Sequence, residues 1–160
     1  MDNKMYACFA RLEAIVCDLY ETMIERTDSA QVKLLLDKIL QESKGHKLLL
    51  TRMAGLSGPE MLPSTVQCNK ELGEMFRDSV LLLSSLRDQV MSGMTVVEAA
   101  RKLVDFENGV GEEYLIQADA KLLAEVEADF AVKEVLQGIA EDEKSHARAL
   151  QLILKTTKPS

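Results

Sequence analysis

Tryptophan is absent from this 160-residue chain, aromatic residues make up 4% of it, and it holds only three prolines and eight glycines. So few breakers exclude a collagen-like or low-complexity chain, and a hydrophobic content of 47% excludes disorder. An excess of cationic residues is lacking too: 19 Lys and Arg stand against 26 Asp and Glu, a net charge of −7. Nucleic acid and an anionic membrane surface are therefore not expected as partners. Long apolar runs are missing. The run from Val80 to Leu83 is far short of a membrane span, and Asp2, Lys4 and Arg11 interrupt the N-terminal region where a secretory signal needs an apolar stretch. The three cysteines, Cys8, Cys17 and Cys68, are an odd set with no close pair, which suits free thiols in a reducing compartment and predicts a cytoplasmic protein.

What is present in quantity is Leu, Ala, Glu, Lys and Met, the residues that lose least on entering a helix. The pattern predicts an all-α single domain over 1–160, with helices near 4–26, 29–53, 70–92, 95–122 and 129–155. Thr27, Asp28 and Ser29 offer N-cap side chains to the second helix, and Thr95 with Glu98 makes a capping box for the fourth. Residues 55–63, reading GLSGPEMLP, are a loop. Two helical hairpins, at about 4–54 and 95–155, are then joined by a long crossover, about 55–94, that contains an extra helix. A four-helix bundle is the expected result.

The two hairpins repeat one another. At an offset of 100, Val32, Leu36, Ile39, Ser43, His46 and Leu50 align with Val132, Leu136, Ile139, Glu143, His146 and Leu150. At an offset of 94, Phe9, Glu13, Val16 and Tyr20 align with Leu103, Glu107, Val110 and Tyr114. Spacings of three and four place each set on one face, the core stripe of a bundle helix. The chain has two histidines, and both fall at the same place on that stripe.

Glu13, Glu107 and Glu143 thus sit between apolar heptad neighbours. Burying bare carboxylates costs several kcal/mol each, and no Arg or Lys lies on these stripes to offset it, so a metal is the natural counter-charge. Glu143 and His146, three apart, are about 60° and about 4.5 Å from each other on a helix and can reach one ion. Carboxylates with imidazole suit iron or manganese, with zinc a common substitute.

With Glu13, His46, Glu107 and the Glu143-x-x-His146 pair in place, the chain resembles the ferritin-like di-iron carboxylate proteins, and most of all rubrerythrins. Glu13 with Tyr20, Glu107 with Tyr114, and IAEDEKSHARAL from Ile139 to Leu150 carry the resemblance. In that family the second helix also has Glu-x-x-His, whereas Ser43 stands three before His46 here; Glu42, four before it, is a candidate substitute or a solvated acid beside the site. The two Cys pairs of the rubredoxin-like domain that rubrerythrins commonly append are not in this sequence.

The resemblance implies two iron ions held by Glu13, Glu42, His46, Glu107, Glu143 and His146. It implies an oxidoreductase that reduces hydrogen peroxide or reacts with dioxygen, with a separate electron-donor protein and a homodimeric assembly. The crossover stripe of Leu72, Met75, Phe76, Val80, Leu83 and Leu86 packs either on the bundle or against a second subunit. The competing expectations are a di-iron hydroxylase, a non-catalytic iron-binding or sensing protein with a partly degenerate site, and a helical interaction module with a vestigial one.

Overall fold

The computed structural model describes residues 3–122 and 130–156, the side chains of 118–122 excepted, and among the described residues the regular structure is entirely helical. The elements are α1 (Lys4–Glu25), α2 (Ala30–Met53), a 3₁₀ turn (Pro59–Met61), α3 (Thr65–Leu72), α4 (Glu74–Met91), α5 (Val96–Leu122) and α6 (Phe130–Thr156). No described helix is long and apolar enough to cross a membrane. The expected turn between the last two helices, and the expected start of the last at 129, lie outside the described residues. The chain divides into two compact units, residues 1–99 and 100–160.

The first unit is built around α1. Fourteen of its 22 residues are buried, including the unbroken run from Met5 to Ala10, so this helix is covered nearly all round by α2, α3 and α4. Four residues separate α1 from α2, and the ion pair Glu21–Lys44 lies farther along α1 but earlier along α2 than the pair Glu13–His46, so the two run antiparallel. The Ser29 hydroxyl accepts from the Val32 N–H at 3.3 Å and caps α2 as its sequence implies.

The crossover departs from expectation. A single helix near 70–92 is expected, yet two are found, α3 and α4, broken at Gly73, whose φ of 70° is a conformation that favours glycine. The first begins at a capping box, with Gln67 N–H donating to Ser64 Oγ at 3.3 Å and Ser64 N–H to Gln67 Oε1 at 2.8 Å. Of the crossover stripe, Leu72, Phe76, Leu83 and Leu86 are buried, and α4 packs along α1. The Arg11 side chain pins the loop before α3 to α1, donating to the Pro63 carbonyl at 2.7 Å and the Leu62 carbonyl at 3.1 Å.

Three free thiols are expected from the sequence, and this is corrected: Cys8 of α1 and Cys68 of α3 form a disulfide, leaving Cys17 as the free cysteine. Their separation of 60 residues hides the pair from any local motif, and packing of α3 on α1 brings them together. The α5 N-terminus carries the expected box, Glu98 N–H donating to Thr95 Oγ1 at 3.2 Å and Thr95 N–H to Glu98 Oε2 at 3.0 Å.

In the second unit α5 and α6 approach closely. A Cβ built on Gly111 would stand 2.5 Å from the Ala140 Cα, so no larger residue fits without moving a backbone. Gly111 pairs with Ala140 where the earlier Glu107 pairs with the later His146, which makes this pair antiparallel as well. The stripe of α6, Val132, Leu136, Ile139, Glu143, His146, Leu150 and Ile153, is buried, and so is the equivalent stripe of α2 from Val32 to Leu50.

Candidate metal centre

Helix phase decides which polar residues go inside. Every heptad neighbour of Glu143 and His146 along α6 is apolar, so the stripe that buries Leu136, Ile139 and Leu150 carries these two in with it. On α5 the same holds for Glu107 between Leu103 and Val110. Glu107 and His146 have no exposed surface at all, and Glu143 only 2%.

The three converge. His146 Nδ1 lies 3.1 Å from Glu143 Oε2 and 3.5 Å from Glu107 Oε2. One ligand atom from each of the three falls within 4.8 Å of the others, close enough together that the group could hold a metal ion. Gly111, one turn beyond Glu107, is what lets α5 come near enough, for its absent side chain would also crowd the Glu143 Cγ at 3.2 Å.

The protonation of the cluster follows from this crowding. Burial, then the neighbouring charge of Glu143 and a hydrogen bond to it, raise the Glu107 carboxyl well above the usual carboxylate range, against the lowering pull of His146. For His146, burial alone would lower the imidazole; the hydrogen bonds and charges of Glu107 and Glu143 outweigh it and push the group up to about 11. The Glu107 carboxyl and the His146 imidazole thus hold their protons to higher pH than such groups ordinarily do. A divalent cation replaces those protons with charge, and the donor set of two carboxylates and an imidazole fits iron, manganese or zinc. The buried Glu/His cluster can hold a metal ion.

In the first unit, Glu13 and His46 occupy the equivalent places. Both are buried, and Glu13 Oε2 stands 4.0 Å from His46 Nδ1. Ser43, which takes the position of Glu143 in the repeat, has no exposed surface, and its hydroxyl finds no hydrogen-bond partner among the described residues. Glu42 is turned to the other side. Its side chain is one-third exposed and its carboxylate takes two contacts from Lys38 Nζ, at 2.9 and 3.1 Å, one helical turn back. The structure therefore brings together Glu107, Glu143 and His146 in one unit and pairs Glu13 with His46 in the other, and among the described residues Glu42 joins no buried metal-binding group.

Cys17, one turn after Glu13, is buried and its thiol is pushed up to about 12, by burial first and by the Glu13 charge second. A group so far from ionising is a packing residue, not a thiolate. Tyr20 and Tyr114 have no exposed surface. The Cys8–Cys68 pair and the close approach at Gly111 escape a reading by periodicity, because each depends on a second helix that the local sequence does not name. Comparison with family models, with curated proteins and with solved structures finds no match for this chain.

Proposed function

We propose that this chain is a ferritin-like di-iron protein of the rubrerythrin kind, an oxidoreductase that reduces hydrogen peroxide or reacts with dioxygen using electrons from a separate donor. The observation that carries the reading is the convergence of Glu107, Glu143 and His146 inside a helical pair. The sequence repeat extends it: Glu13 and His46 stand where Glu107 and His146 stand, so each hairpin supplies a carboxylate and an imidazole toward an ion. A four-helix bundle and homodimeric assembly belong to the same proposal.

Bound iron(II) supplies the reducing electrons for cleavage of an oxygen–oxygen bond. The chain's own part is to hold two carboxylates and an imidazole in place before the ion arrives, so that little ordering cost attends binding. Burial excludes bulk water from His146 and Glu107, which raises the weight of every charge in the cluster. His146 keeps a proton between the two acids until a cation displaces it.

The test is metal analysis after expression with iron, followed by anaerobic addition of hydrogen peroxide to the ferrous protein. The expected result is bound iron that oxidises with consumption of one peroxide per two ferrous ions. Iron that binds and is not oxidised faster than free iron supports a non-catalytic iron-binding or sensing role instead. That second reading has its own observation: Ser43 occupies a buried carboxylate position and Glu42 is engaged by Lys38, which leaves the first hairpin one acid short.

A further inference from the structure

A cavity of about 500 Å³ lies in the first unit, between the start of α1, the loop after α2, and α3. Its size is that of pockets that take small organic ligands. Ala7, Leu56 and Met61 contribute apolar wall, and Lys4 and Lys70, both exposed, stand among the lining residues with Glu71 as the one acid. The lining therefore carries a net positive charge on a chain whose overall charge is −7. The loop wall is fixed by the Arg11 hydrogen bonds to Leu62 and Pro63.

Cys8 lines this cavity, while its partner Cys68 does not. Cys8 is 2% exposed and Cys68 has no exposed surface, so a reagent in the cavity approaches the disulfide from the Cys8 side. We propose that the Cys8–Cys68 disulfide is a thiol-exchange site, addressed at Cys8 through this cavity by a low-molecular-weight thiol that bears carboxylate.

The chemistry is balanced by that thiol. A thiolate attacks Cys8 Sγ; a new sulfur–sulfur bond forms to Cys8, the Cys8–Cys68 bond breaks, and the electron pair leaves on Cys68 Sγ, which takes up a proton. A second thiol attacks the incoming sulfur, releasing the free disulfide and the Cys8 thiol. In sum two thiols are oxidised to one disulfide and the protein pair is reduced to a dithiol. In the reverse direction Cys8 is the attacking sulfur and Cys68, shielded from solvent, is the resolving one. Lys4 and Lys70 attract the carboxylates of the incoming thiol.

The experiment uses the full chain, oxidised, with reduced glutathione as the probe and acid quenching followed by peptide mass mapping. Exchange is expected in the folded protein, with the glutathione adduct on Cys8. Reversing Lys4 and Lys70 together to Glu should slow reduction by glutathione about three- to tenfold at low ionic strength, while reduction by neutral 2-mercaptoethanol stays within about twofold. In a second arm oxidised glutathione should modify the Cys68→Ser variant at Cys8 and leave folded Cys8→Ser unmodified. An adduct on Cys68, exchange seen only in denaturant, or equal slowing of both thiols in the charge-reversed variant would each overturn the proposal. The wild-type mapping stands even if a cysteine variant does not fold.

Discussion

Gly109 and Gly111 lie two residues apart in α5, yet adding one methyl group to each should have opposite effects. In a helix interior, Gly→Ala ordinarily stabilises by about 1 kcal/mol, since alanine loses less backbone freedom on folding. At Gly109 nothing lies within 4 Å of the new Cβ, so Gly109→Ala should keep that whole gain. At Gly111 the Cβ would meet the Ala140 Cα at 2.5 Å and the Ala140 Cβ at 3.0 Å, and because the first is backbone, one helix must move. Overpacking of that kind costs about 1–3 kcal/mol or more, which meets or exceeds the propensity gain. With about 2–4 °C per kcal/mol for a chain near this size, Gly109→Ala should melt a few degrees higher than the parent and Gly111→Ala at or below it. The movement also acts on the metal cluster, for the same Cβ crowds Glu143 Cγ at 3.2 Å and Glu107 is one turn away. Thermal melts with and without metal, together with a metal titration, read both effects: affinity should fall for Gly111→Ala and hold for Gly109→Ala. Equal stabilisation by the two substitutions would refute the close approach of α5 and α6.

Metal should raise the melting temperature by an amount that grows with pH. The raised His146 contributes stability below its ordinary range that is lost as pH rises toward about 11, and the raised Glu107 disfavours the folded state once pH passes the ordinary carboxylate range, so the metal-free protein weakens with rising pH while the metal-bound one is spared. Melts at pH 6 and pH 9 with and without chelator check this, and a metal increment that shrinks toward high pH would contradict it. Ser43→Glu should raise metal stoichiometry or tighten a second ion, while Glu42→Gln, which breaks the ion pair with Lys38, should leave metal content unchanged; loss of metal in Glu42→Gln would make that acid a ligand after all. Replacement of His146 by Ala should abolish binding at the Glu107–Glu143 cluster, and full metal content in that variant would mark His146 as a packing residue. Cys17, pushed up to about 12, should resist alkylation at pH 8 in the folded chain, checked by mass spectrometry against the denatured one.

Periodicity made the buried stripes legible, because every heptad position of α2, α5 and α6 is decided within its own helix. Glu107, Glu143 and His146 were readable as buried for that reason, and the Thr95–Glu98 box for an equally local one. Glu42 shows the limit of the method: it is one residue from the stripe, and a fraction of a turn separates a buried acid from one that pairs with Lys38. The break at Gly73 competes with a run of helix formers on both sides, and it shows only once the Ser64–Gln67 box is taken as a start. Three cysteines admit three pairings, and only the docking of α3 against α1 selects Cys8 with Cys68.

The disulfide closes a ring of chain across a separation of 60 residues, and α2 lies wholly inside that ring. An unfolded chain cross-linked over such a span has lost about 4 kcal/mol worth of conformational freedom at 25 °C. While the ring is shut, α2 cannot drift off after local opening, since both of its ends remain tethered to partners it must find again, and recapture is a matter of a short search. Once the ring is opened by reduction, the same helix becomes an ordinary stretch of a long flexible chain. The resistance of the first unit to proteolysis then becomes a measure of the redox state of its surroundings, with Ala30–Met53 as the segment where cutting would first be seen.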